Sequence, residues 1–95
     1  MEKTPVTRLE LEAHVAAVQA IVSDGIVISA MKGRKYVRIV STSFGSRSVH
    51  HFVRLSDGAI LKSASWKAPA KHSRGNIRQE DLTTSLGDYG AYYLR

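Results

Sequence analysis

The chain predicts an α+β fold: an N-terminal helix packed on a small antiparallel β-meander, with a basic nonperiodic loop and a short C-terminal helix or strand. Three observations carry that prediction. Leu11, Val15, Val18 and Val22 recur at helical spacing. Residues 36–40 and 49–55 alternate at the period of a strand. Asp57-Gly58 between two apolar runs is a hairpin signal.

The helix comes first. Thr7 followed by Glu10 is a capping-box spacing, with Pro5 just ahead of it. Ala13, Ala16, Ala17 and Ala20 add helix propensity, and Asp24-Gly25 supplies the stop. A β region follows. Ile26 to Ala30 is rich in β-branched residues, and Lys32-Gly33-Arg34 turns the chain. In the next strand Val37 and Ile39 share one face, and Tyr36, Arg38 and Val40 the other. Ser41 to Ser48 reads as a polar loop. A third strand runs over 49–55, with Val49, His51, Val53 and Leu55 facing in and His50, Phe52 and Arg54 facing out. Ala59 to Ser63 returns as a fourth. From Ala64 to Ile77 the periodicity stops. Glu80 to Leu86 could form a short helix, and Ala91 to Leu94 a last edge strand.

Ninety-five residues without an internal repeat or linker bound the chain to a single domain, residues 1–95. So short a chain leaves little to wall a deep catalytic cleft. With no cysteine there is neither a disulfide framework nor a thiolate metal site. His50 and His51, as strand neighbours, are expected on opposite faces and unable to share a metal. Neither a metal nor a cofactor is expected. No apolar run approaches the length of a membrane span, and the first residues lack a leader pattern, so a cytoplasmic protein without membrane contact is expected.

Charge is the strongest functional signal. The net charge is +6, yet residues 1–24 and 79–95 each sum to −2. Residues 25–78 therefore hold +10, with Asp57 as their one acid. A field of that kind points to phosphate-bearing partners. The cations concentrate at 62–78, beside the single tryptophan. Lys67 and Lys71 offer point charges, and Arg74 and Arg78 offer forked donors. His72, Ser73 and Asn76 add hydrogen bonds, and Trp66 could stack on a base. Arg38 and Arg54, interleaved with Tyr36 and Phe52 on one sheet face, would support that contact. The candidate ligand set is thus Trp66, Lys67, Lys71, His72, Arg74, Asn76, Arg78, Arg38 and Arg54. A lone tryptophan also serves as a core plug, and Ser-Arg-Gly-Asn is no phosphate loop. Serines lack a nucleophile-elbow spacing and the acids are confined to the ends and one turn, so no catalytic residue is expected.

Several phrases carry a resemblance: Ser-Val-His-His-Phe-Val at 48–53, Ser-Asp-Gly-Ala-Ile-Leu-Lys at 56–62, Ala-Ser-Trp-Lys-Ala-Pro-Ala-Lys at 64–71, Arg-Gly-Asn-Ile at 74–77 and Gly-Ala-Tyr-Tyr-Leu-Arg at 90–95. Over residues 35–95 the chain resembles a group of small proteins encoded by tailed bacteriophages. The resemblance implies a setting, an infected bacterial cell, and no mechanism. The expected function is noncatalytic binding of nucleic acid or a phosphate-bearing nucleotide. The alternative is a protein-interaction module: a homodimer, a virion component or an inhibitor of a host protein, with Tyr89, Tyr92 and Tyr93 as contacts.

Overall fold

A computed structural model of the chain describes residues 5–79, 82, 86–87 and 90–91, and for His72, Arg74 and Ala91 it describes the backbone alone. The fold is α+β. Helix α1 (Arg8–Ile21) is followed by strands β1 (Val27–Lys32), β2 (Tyr36–Ser43), β3 (Ser46–Arg54), β4 (Ala59–Ser63) and β5 (Pro69–Asn76). Two short strands, β6 (Leu86–Gly87) and β7 (Gly90–Ala91), form a separate hairpin. The main sheet is antiparallel in the order β1-β2-β3-β4-β5, a meander in which each strand pairs with its neighbours in sequence.

The predicted capping box starts α1. Thr7 Oγ1 accepts from the Glu10 backbone N–H, and Glu10 Oε1 accepts from the Thr7 N–H, both at 3.2 Å. Two of the first turn's orphan donors are thereby satisfied. After the helix ends, Gln19 stitches it to the sheet. Its amide donates to the Ile26 carbonyl at 2.6 Å and accepts from the Ile28 N–H at 2.8 Å. The apolar stripe lies on one sheet face. Val18 and Val22 pack with Ile28, Val37, Ile39, Val53, Ile60 and Leu86, flanked by Leu11, Val15 and Leu82. Fully burying a side chain of this size contributes roughly 1.5–3 kcal/mol.

Three expectations need correction. The polar loop of 41–48 is instead the end of β2 and the start of β3. Only Phe44 and Gly45 turn the chain, with φ of 51° and 79°. Two positive φ values in sequence match the right-handed twist of a hairpin, and the turn was hidden because a phenylalanine holds the first position. Second, most of the basic stretch is strand. Only residues 64–68 loop, and β5 then pairs along β4 with shifts after Ile60 and Leu61. An edge strand that is polar on both faces and twice out of register has no alternation to read.

The third concerns β3. Ile39 pairs with His51 and Val40 with Val49, so His50 is an extra residue, a β-bulge. Beyond it the faces exchange relative to simple alternation. Val49 shares the outer face with Val40, while His51 joins Ile39 on the helix side. The expected helix over 80–86 and strand over 91–94 lie largely outside the described residues, although Leu86 is buried in β6. No helix among the described residues is long and apolar enough to cross a membrane.

Candidate functional site

The sheet face opposite α1 is set by cross-strand pairing. Tyr36 opposes Arg54, Arg38 opposes Phe52, and Thr42 opposes Arg47, so these side chains share one face with Met31 of β1. Phe52 is buried there with Val40 and Leu61, and the Tyr36 ring meets it edge-on, centroids 6.3 Å apart. The β4–β5 loop closes on itself. Ala64 and Ser65 donate to the Ala68 carbonyl, and Ser65 Oγ accepts from the N–H groups of Lys67 and Ala68. A loop so satisfied presents Trp66 in a fixed position over the outer face.

Two arginines hold it there. Arg38 Nε donates to the Trp66 carbonyl at 2.7 Å, and its guanidinium carbon lies 4.9 Å from the indole centroid. Arg47 approaches the same ring at 5.4 Å. Each such contact contributes on the order of 0.5–1 kcal/mol at an exposed site. The indole remains 38% exposed, so Trp66 is neither a core plug nor free in solvent. Beside it lies a depression of about 260 Å³ over Tyr36 and Phe52. Its cationic lining is Lys32, Arg34, Lys35, Arg38 and Lys67, and among the described residues no carboxylate lines it.

The candidate residues therefore divide. Trp66, Lys67 and Arg38 come together. Lys71 is exposed on β5. The side chains of His72 and Arg74 lie outside the described residues. Arg54, Asn76 and Arg78 are engaged elsewhere. Arg54 makes a forked pair with Asp57 at 2.9 and 2.7 Å. Asn76 donates to the Asp57 carbonyl and accepts from the Arg78 N–H. Arg78 grips Glu10 at 2.6 and 2.9 Å and reaches the Pro5 and Asp57 carbonyls, joining α1 to the sheet. Those bonds from Arg78, with the Thr7 backbone N–H, hold the Glu10 carboxyl down to about 2. Sequence reasoning missed Arg47, Lys32, Arg34 and Lys35. The first sat in a supposed loop, and the others at a turn whose lysines and arginines read as ordinary surface.

A second constellation lies on the helix side. His50 and His51 were expected on opposite faces. The bulge instead turns both rings to one another, with Nδ1 atoms 2.7 Å apart. His51 Nε2 lies 2.8 Å from His14 Nε2 on α1, and His50 Nε2 donates to the Gly87 carbonyl at 2.6 Å. All three rings are buried. Their nitrogens face each other in series instead of converging, and among the described residues no group of His, Cys, Asp and Glu could hold a metal ion.

A helix-backed meander whose open face carries an arginine-clamped tryptophan defines the class, a small α+β domain. The chain belongs to a family of unknown function (DUF7717), whose profile matches residues 7–94. No curated protein and no solved structure matches it.

Proposed function

We propose that the domain is a noncatalytic binding module for nucleic acid or a phosphate-bearing nucleotide, and that its outer sheet face is the contact surface. One observation carries the reading: a part-exposed tryptophan fixed by Arg38 and Arg47 beside a depression to which the described residues contribute five cations and no carboxylate. Guanidinium groups stacked on an indole still have N–H edges to offer a phosphate, and the ring edge and the Tyr36 phenol can meet a base. Lysines at the rim supply the long-range field that draws an anion in. The phage-infected cell implied by the Trp-Lys-Ala-Pro-Ala-Lys phrase is the setting we propose.

A second reading, self-association, is favoured by one observation. Strand β1 ends the sheet and exposes Val27 and Met31 along its edge.

Titrating Trp66 fluorescence with single-stranded DNA, duplex DNA, RNA, and mono- and cyclic nucleotides tests the first reading. A saturable change is expected, weakening with salt along a log–log slope of roughly −2 to −3 for a single strand neutralised by three or four cations. Replacing Arg38 and Arg47 together by alanine should reduce affinity about tenfold or more. No response to any of these ligands, with light scattering showing a dimer, would move the reading to self-association.

A further inference from the structure

We infer that His14, His50 and His51 form a buried one-proton relay, an acid-operated latch joining α1, the bulged strand and the β6–β7 hairpin, whose single site for an added proton is His14 Nδ1. The inference rests on counting hydrogens and is independent of the outer face. Three imidazoles have six ring nitrogens. The Gly87 carbonyl can only accept, so His50 Nε2 carries a hydrogen. Each ring–ring contact, at 2.7 and 2.8 Å, needs one hydrogen between its nitrogens. Two bare nitrogens, or two N–H groups, would repel at that distance. Three neutral rings carry three such hydrogens, and these three bonds use them all. The sixth nitrogen, His14 Nδ1, is left bare, and it is buried with no hydrogen-bond partner.

The tautomers follow in order from the carbonyl. His50 is protonated at Nε2, His51 at Nδ1 and His14 at Nε2, so every bond points from the helix toward Gly87. A proton taken from solvent must appear at His14 Nδ1, wherever along the chain the positive charge then settles. One further proton would place N–H groups on both sides of a ring–ring contact and break it. That opens the link between helix and sheet or the link between the two strand histidines.

The surroundings of His14 and His51 suit neutral rings at pH 7. Burial first, and then the neighbouring His50, hold His14 down to about 4. Burial likewise holds His51 well below its usual value. On α1, Glu10 stands one turn before His14, and Arg78 after β5 grips it. Among the described residues, the partner of His51 from β2 is Ile39, and the contact from β6 is the Gly87 carbonyl. Glu10, Arg78 and His14 also line a cavity of about 480 Å³ between α1 and residues Ile77, Arg78, Gln79 and Leu82, which brings open space to the His14 side chain.

Long-range ¹H–¹⁵N correlation of the labelled full chain tests the relay directly. At pH 7 the expected pattern is Nδ1–H for His51 and Nε2–H for His14 and His50. On acidification the three rings should take up one proton, first registered at His14 Nδ1. Finding His51 as the Nε2–H tautomer, or three independent titrations near pH 6.5, the value of a free imidazole, overturns the inference. His14→Phe gives a second reading. His50 and His51 should keep their tautomers while uptake moves to His51 Nε2, and a reversed His51 tautomer overturns it. Should that variant not fold, the wild-type spectrum decides.

Discussion

Gly58 shows how one residue can fix a turn that several strands depend on. Its φ is +78°, and a Cβ there would lie 3.0 Å from Ile77 Cγ1 and 3.1 Å from Asn76 Oδ1. Around it the Asp57 carboxylate receives the Arg54 fork and the Ala59 N–H, while Ile77 donates to the Gly58 carbonyl. Gly58→Ala adds a left-handed strain of about 1–2 kcal/mol to a contact that must give way. Urea denaturation should show a loss of about 2 kcal/mol or more, with the slope unchanged. This turn was legible because Asp-Gly has a local mechanism. The roles of Arg54, Asn76 and Arg78 were not, since a guanidinium that binds phosphate and one that grips a carboxylate look alike in a sequence. Partner identity for these three is decided by residues up to 73 positions away.

Among the elements, α1 was the most legible because cap and stripe agree on it, although it ends at Ile21 with Val22 as an extended C-cap, ahead of the expected Asp24-Gly25 stop. Removing the cap tests how much the helix owes to it. Thr7→Ala should cost about 1 kcal/mol, read as a lower urea midpoint. Strands were legible where apolar residues alternate, as Val37 and Ile39 do in β2. β5 was not, because its pairing to β4 rests on backbone bonds and a shifted register rather than on an apolar row. The bulge in β3 hid the histidine chain and misassigned Val49, since period-two reasoning assumes an uninterrupted ladder.

For the whole molecule, the buried histidines make acid the natural denaturant. An unfolded histidine titrates near 6.5, whereas His14 in the fold titrates at about 4. Between those values the unfolded chain binds more protons, so stability falls as pH falls. His14 contributes fully above pH 6.5, and about 3 kcal/mol is withdrawn as pH drops to 4. Glu10, whose carboxyl is held down to about 2, adds a separate loss below pH 4.5. The urea midpoint should therefore be clearly lower at pH 5 than at pH 7.5, and an unchanged midpoint would contradict a neutral histidine core.

The bulge has one more consequence, best put as molecular bookkeeping of codons. On either side of His50 the ladder keeps the pairing of a strand one residue shorter, since Val49 and His51 already oppose consecutive residues of β2. A gene lacking that codon would encode the same two faces, with Arg47 still beside Trp66 and His51 still against His14. His50 is thus an insertion the sheet can do without. Its ring ties β3 to the Gly87 carbonyl, so what this residue adds to the ladder is a side-chain link to β6.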